Sequence, residues 1–149
     1  MQKNIIRLAM IGALVASLTG AGVVGQGAPA EAAMARISPA CSSVPTTTTE
    51  SDGVPGSIFY KRLQCLASMS SYTGPIDGVM GPNSWKGVSS QLANGGFFQG
   101  GIAQGWESTD NVAALQRWAA AHGRYSGPID GVWGPNSYRG VAWVLNRVF

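Results

Sequence analysis

Residues 72–88 read Tyr72-Thr-Gly-Pro-Ile-Asp-Gly-Val-Met-Gly-Pro-Asn-Ser-Trp-Lys-Gly-Val88. Residues 125–141 read Tyr125-Ser-Gly-Pro-Ile-Asp-Gly-Val-Trp-Gly-Pro-Asn-Ser-Tyr-Arg-Gly-Val141, so the two stretches differ at four of 17 positions. A Leu-Gln pair precedes each stretch, at Leu63 and at Leu115. The chain therefore contains the same local structural unit twice.

Each unit predicts a helix, a tight loop and a second helix. Apolar residues before the loop recur at helical spacing, which predicts an amphipathic helix of about three turns. They are Ile58, Phe59, Leu63 and Leu66 in the first copy, and Val112, Leu115, Trp118 and Ala119 in the second. In Gly-Pro-Ile-Asp-Gly, proline fixes φ, aspartate can bond nearby amides and glycine can adopt positive φ. The following Gly-Pro pairs predict second helices over 83–93 and 136–147, because proline is favoured in a first helical turn. The expected fold is all-α, with two helix-loop-helix repeats packed as one or two small domains.

The rest of the chain divides around these repeats. Residues 1–33 resemble a secretory signal peptide, with a basic start, an apolar stretch from Leu8 to Val24 and small residues at a cleavage site. An uncleaved anchor is the alternative, but the apolar stretch is short for the roughly 20 residues of a membrane span. The predicted order is signal peptide 1–33, Pro/Ser/Thr-rich linker 34–56, repeat 57–96, Gly-rich flexible connection 97–107 and repeat 108–149. A unit of about 40 residues rarely folds alone, so we expect the two copies to pack together.

Composition excludes several classes of protein. The chain has 149 residues, of which 11% are charged, and a formal net charge of +3. That length excludes a large multi-domain enzyme, and the high apolar content excludes a disordered polyelectrolyte. Two of the positive charges, Lys3 and Arg7, lie in the signal segment. The remaining charge is too small for nucleic-acid binding through many phosphate contacts.

Cys41 and Cys65 are the two cysteines of the chain. In an exported protein they predict one disulfide, which would contribute about 3 kcal/mol to stability. The alternatives are two free thiols or a metal site. Two cysteines and the single His122 are too few for a structural zinc site, and one aspartate per loop is too few for calcium. We therefore predict no metal and no cofactor.

The ordered series of motifs resembles the peptidoglycan-binding domain family, the small helical modules of secreted cell-wall hydrolases and endolysins. It consists of Leu-Gln, Ile-Asp-Gly and Gly-Pro-Asn-Ser, followed by a second helix, and it occurs twice. The resemblance covers residues 59–93 and 112–147. It implies a small helical fold, a role in holding cell wall, and peptidoglycan as the partner, in its glycan or its stem peptide. The first copy departs from the family pattern by running into a glycine-rich segment, and the second ends without the usual third helix.

Catalytic residues are harder to find than binding residues. Glycan hydrolysis ordinarily needs two carboxylates about 5 to 9 Å apart. Asp77 and Asp130 occupy equivalent turn positions, which favours a structural role in each loop. Glu107 and Asp110 stand at a helix start, where negative charge is favourable. His122 has no triad-like context, so we predict no catalytic residue.

Sugar rings present apolar C–H faces beside hydroxyl groups, so a site for them needs aromatic faces together with amides, hydroxyls and acids. The loops and their second helices supply these groups, and Lys86 or Arg139 could meet peptide carboxylates. The candidate ligand-binding residues are Tyr72, Asp77, Met80, Asn83, Trp85, Tyr125, Asp130, Trp133, Asn136, Tyr138 and Arg139. About half of the aromatic residues are expected in the core, whereas Met80 and Trp133 at the loop tips are expected to be exposed.

The leading expectation is a secreted, non-catalytic peptidoglycan-binding protein, with no nucleic-acid partner and no membrane attachment after signal cleavage. The two copies on one chain would raise the affinity for a polymer. One alternative is a small cell-wall hydrolase or endolysin-like protein that uses Asp77 or Asp130. The other is a secreted module that recognises another protein.

Overall fold

A computed structural model describes residues 37–100 and 103–149. The predicted signal peptide, residues 1–33, lies outside the described residues. Within them, five α-helices are present and no strand. The helices are α1 (Thr49–Asp52), α2 (Ser57–Ser68), α3 (Pro82–Asn94), α4 (Thr109–Ala121) and α5 (Pro135–Val148), and a 3-10 turn at Pro39–Ser43 precedes them. The predicted all-α fold is confirmed. None of these helices has both the length and the apolar character needed to cross a membrane.

The helix ends follow the local sequence. Pro82 and Pro135 each stand in the first turn of their helix, one residue before the predicted start. The side chain of Ser108 caps α4 by accepting a hydrogen bond from the backbone N–H of Asn111 at 3.2 Å. After α4 the chain turns at Gly123, which has a φ of +67°.

One hydrophobic core is shared by the four long helices. Within each repeat, α2 packs on α3 and α4 packs on α5; across the repeats, α3 packs on α4 and α2 packs on α5. The largest fully buried apolar side chains of this core are Phe59, Leu63, Leu92, Leu115 and Leu145. They come from all four helices, so neither repeat has a complete core of its own.

The segment predicted as a linker is folded against this core. Its first part is attached by the Cys41–Cys65 disulfide, with 5.7 Å between the Cα atoms, which confirms the predicted pairing. Thr47 and Thr49 are buried. The side-chain amide of Asn146, on α5, accepts from the Thr47 N–H at 2.9 Å and donates to the Thr47 carbonyl at 3.0 Å. The expectation that this segment is a linker with no core to join was wrong, because a disulfide and hydrogen bonds, rather than periodic apolar side chains, attach residues 39–56.

The glycine-rich connection is also partly packed, contrary to the expectation of flexibility. The backbone N–H groups of Phe97 and Phe98 both donate to the Leu92 carbonyl, at 2.8 and 3.2 Å. Phe98 is 9% exposed and belongs to the core. Burial of a phenylalanine stabilises a fold by about 2 kcal/mol, which accounts for order in residues 97–100.

Each repeat is in contact with the segment that precedes the other. Gly53 lies so close to Pro135 that an added Cβ would be 2.9 Å from the Pro135 carbonyl oxygen. Gly105 is likewise adjacent to Pro82, where an added Cβ would lie 3.4 Å from the carbonyl oxygen. The start of α5 is therefore covered by the first half of the chain, and the start of α3 by the second half.

Candidate functional site

A buried glutamine on the first helix of each repeat holds the loop that follows. The side-chain amide nitrogen of Gln64 donates to an Asp77 carboxylate oxygen and to the Val79 carbonyl, both at 2.9 Å. Its oxygen accepts from the Gly78 N–H at 2.8 Å. The second loop has the same three bonds: Gln116 donates to Asp130 and to the Val132 carbonyl, both at 3.0 Å, and accepts from the Gly131 N–H at 2.9 Å. The Leu-Gln motif thus fixes the position of both loop tips.

Asp77 and Asp130 serve these loops as acceptors. The hydrogen bond from Gln64 and the backbone N–H of Val79 lower the pKa of Asp77. The backbone N–H of Val132 and the amide of Gln116 lower the pKa of Asp130 in the same way. A general acid needs a pKa near the working pH, so these carboxylates are poorly suited to that role.

The structure places Tyr72 and Trp85 in the core. Tyr72 is 8% exposed, and its hydroxyl donates to the Pro75 carbonyl at 2.6 Å. Trp85 is 4% exposed. Tyr72 therefore offers no open ring face to a ligand, whereas the small exposed part of Trp85 lines a pocket beside Met80. Tyr125 makes the same bond, to Pro128 at 2.7 Å, but remains partly exposed.

Met80 and Trp133 are not the freely exposed tips that the sequence suggests. Both are partly buried and pack against the core. Trp133 stacks on Tyr138, with 4.3 Å between ring centroids and 4° between planes. Its indole N–H donates to the Glu107 carboxylate. The Trp133 ring also packs edge-on against Phe59 of α2, with 6.0 Å between ring centroids, and this contact places the tip against the first repeat.

Residues of both loop tips lie beside Glu107, where the repeats join. A small open pocket of about 180 Å³ contains Met80 from the first loop together with Tyr60 and Glu107. Glu107 accepts a hydrogen bond from Trp133 of the second loop. Tyr60 and Tyr138 both pack edge-on against Phe59, with 5.3 and 5.5 Å between ring centroids. We call this set the junction cluster: Tyr60, Met80, Glu107, Trp133 and Tyr138. Its members come from both repeats and from the segment between them.

The electrostatics of the junction cluster keep its hydroxyls protonated. Burial, followed by the Tyr60 hydroxyl and the charge of Glu107, raises the pKa of Tyr138. Burial is also the largest cause that raises the pKa of Tyr60. The cluster therefore presents two phenol groups and one carboxylate beside apolar side chains, which is a suitable surface for a polyhydroxylated ring.

Four exposed apolar residues near the loops and the junction cluster were not among the predicted site residues, and one of them is Ile129 in the second loop. Trp106, next to Glu107, is 63% exposed, and the equivalent loop residues Val79 and Val132 are 72% and 65% exposed. Val79 and Val132 directly precede the tip residues within the repeated motif, and this position in the sequence could have indicated that they are exposed. Tyr60 and Glu107 gave no such signal, because only the packing of α2 against the second repeat brings them to the tips.

The polar candidates lie at the starts of the second helices. Asn83 and Lys86 are exposed on α3. Asn136 and Arg139 are exposed on α5, where the Asn136 amide oxygen accepts from Arg139 at 3.3 Å. Trp133 and Asn136 also line an open cleft of about 250 Å³, together with Tyr125 and Asp130. The second repeat therefore brings more of the predicted residues to one surface than the first.

Comparison with protein-family models, with curated proteins and with solved structures finds no match for this chain. The resemblance to peptidoglycan-binding modules therefore stays a prediction that depends on the repeated motifs.

Proposed function

We propose that this protein is a secreted, non-catalytic module that binds peptidoglycan through the junction cluster. The observation that supports the proposal is that residues of both loop tips and two tyrosines lie around the Glu107 carboxylate at the junction of the repeats. The resemblance of both repeats to wall-binding modules supplies the ligand class. The signal-like residues 1–33 and the disulfide, which suits an oxidising compartment, support export.

The convergence changes how the duplication is interpreted. Two separate loop faces would give two weak sites on one chain, with a gain from valency. Tips that share the junction cluster give one larger site per chain instead. We therefore expect one ligand molecule to contact residues of both repeats.

The roles of the loop aspartates support binding rather than hydrolysis. Each carboxylate is occupied by a glutamine amide and a backbone N–H, and its pKa is lowered. A catalytic acid in glycoside hydrolysis has a raised pKa. Turbidity clearing of wall suspensions that disappears in Asp130→Asn would contradict the proposal.

Sedimentation with insoluble peptidoglycan tests the proposal. The chain from residue 34 is mixed with purified wall at low salt, and the bound fraction is measured against wall concentration. We expect binding, and we expect Trp133→Ala and Glu107→Ala each to weaken it about tenfold, since an interface residue of this kind contributes more than 1 kcal/mol. Glu107 is exposed, so its replacement leaves the core intact.

The matched control is Phe149→Ala, which truncates a partly buried aromatic residue at the opposite end of α5 from Tyr138. It should bind wall like the unchanged protein. A protein that stays in the supernatant, or a Phe149→Ala variant that loses binding as strongly as Glu107→Ala, would refute the proposed site.

A further inference from the structure

A second surface, which contains none of the junction-cluster residues, lies beside the loop of the second repeat. It is an open cleft of about 530 Å³ whose lining is polar and basic. We call it the basic cleft, and its lining residues are Arg124, Tyr125, Ser126, Gly127, Asn136 and Arg139. Two guanidinium groups in one cleft indicate an anionic ligand.

Arg139 is held in place by neutral oxygens. Its guanidinium donates to the carbonyls of Ser51 and Asp52, at 3.1 and 3.2 Å, and to Asn136. An arginine has five N–H donors, so two remain for a ligand. The carbonyls of α1 therefore hold the side chain in place, and no carboxylate among these partners neutralises its positive charge.

Arg124 is positioned by stacking. Its guanidinium carbon lies 3.7 Å from the centroid of the Trp143 ring, and its side chain donates no hydrogen bond to any described residue. Among the described residues, the one ion pair joins Arg147 to Glu50. The charges of Arg124 and Arg139 therefore have no carboxylate partner within 4 Å in that part of the chain.

The first repeat lacks the equivalent groups. In the alignment of the repeats, Ser71 stands opposite Arg124, and Lys86 stands opposite Arg139. Tyr72 is buried where Tyr125 is partly exposed. A lysine has no planar fork, so the first repeat cannot reproduce bidentate recognition at this position.

The basic cleft is continuous with the surface that carries Trp133. The cleft of about 250 Å³ beside Trp133 shares Tyr125, Gly127 and Asn136 with the basic cleft. Trp133 in turn belongs to the junction cluster. A branched ligand can therefore occupy the junction cluster with one part and the basic cleft with another.

We propose that the basic cleft binds a peptide carboxylate through Arg124 and Arg139, and that this property belongs to the second repeat alone. The inference rests on the proposed function, in which the ligand is a glycan that carries peptide branches. Tyr125, Ser126 and Asn136 supply hydroxyl and amide groups that can pair with the peptide backbone.

Titration of the ¹⁵N-labelled chain from residue 34 tests this assignment by NMR. The probe is diacetyl-Lys-D-Ala-D-Ala, and the matched probe is the same peptide with its terminal carboxylate converted to an amide. We expect the free acid to shift the backbone amides of residues 124–127 and 136–139. The amidated peptide should bind about tenfold more weakly, because it lacks the charge-assisted hydrogen bonds.

Arg124→Gln should weaken binding of the free acid by about tenfold as well. Lys86→Gln, at the position in the first repeat that is equivalent to Arg139, should change the affinity for the free acid by no more than about twofold. Thermal melting of both variants checks that the fold is retained, and the comparison of the two peptides on the unchanged protein needs no variant.

Equal affinity for the two peptides, or shifts confined to other residues, would overturn the assignment. Displacement of the peptide by glycerol 3-phosphate at a lower concentration would also overturn it, in favour of a phosphate ligand. If the protein still sediments with wall but does not bind the peptide, the assignment of the basic cleft alone is contradicted. Peptide binding without wall sedimentation contradicts the proposed function alone.

Discussion

Gln64 and Gln116 determine the positions of the loop tips, because both the amide nitrogen and the amide oxygen of each side chain are hydrogen-bonded to the loop. Each glutamine is fully buried, pairs with one carboxylate and one carbonyl, and accepts one backbone N–H. A buried polar group without partners would cost about 1 to 3 kcal/mol, so the loop and the glutamine require each other. The repeated Leu-Gln and Ile-Asp-Gly motifs were recognised in the sequence, but their direct pairing needed the structure.

The loop aspartates make stability dependent on pH. Their hydrogen bonds lower the pKa of both carboxyl groups below the unfolded value of about 3.9. This contribution is therefore fully present above that unfolded value and is lost as the pH falls through the lower folded pKa. We expect the urea midpoint to fall between about pH 4 and pH 2.

The variant that tests this carries both Asp77→Asn and Asp130→Asn. An asparagine keeps an acceptor oxygen for the backbone N–H but does not titrate in this range. Its urea midpoint should change less between neutral and acidic pH than that of the unchanged protein. The residual dependence should come from Glu50, whose pKa Arg147 lowers. An identical pH dependence in both proteins would contradict the assignment.

At the scale of elements, local sequence accounts for most of what is observed. Proline in the first turn places the starts of α3 and α5, as expected, and a serine, Ser108, caps α4. Residues 39–56 were missed because they carry no apolar periodicity; hydrogen bonds to Asn146 and a disulfide hold them. The predicted disulfide at Cys41 was one available signal. The spacing of Gly53 and Gly105, which matches that of Gln64 and Gln116 in the two repeats, was another.

Two glycines with similar backbone angles allow steric and conformational effects to be separated. Gly131 has a φ of +71°, and an added Cβ would lie 2.3 Å from the carbonyl oxygen of Thr109 at the start of α4. Gly123 has a φ of +67° and nothing within 4 Å of an added Cβ. We expect Gly123→Ala to lower the free energy of unfolding by about 1 kcal/mol, from backbone strain alone.

Gly131→Ala should lower the free energy of unfolding by about 3 kcal/mol, because a clash with the backbone of Thr109 adds to the same backbone strain. Urea denaturation of both variants measures the difference. Equal losses would show that the second loop does not need to approach α4 so closely.

At the scale of the whole molecule, the repeats are not independent. Their largest buried side chains form one core, and the segment before each repeat covers the start of the second helix of the other. Helix-loop-helix units were predictable from the sequence. The meeting of Met80, Trp133 and Glu107 was not, because it depends on how the two units pack and no local pattern records that.

The shared core predicts a single unfolding transition. In urea, far-ultraviolet circular dichroism and tryptophan fluorescence should report the same midpoint for the chain from residue 34. A truncated chain of residues 34–100 should lack a cooperative transition, because it loses Leu115 and Leu145 from the core. Two separated transitions, or a truncated chain with the midpoint of the whole, would refute this interdependence.

The position of the junction cluster has a mechanical consequence. A ligand bound between Tyr60 and Trp133 would contact both halves of the chain, so the halves could not separate on unfolding without releasing the ligand. Its binding energy is therefore added to the work of opening the fold. A protein with a ligand bound in this way would resist heat and proteases longer than the same protein without it.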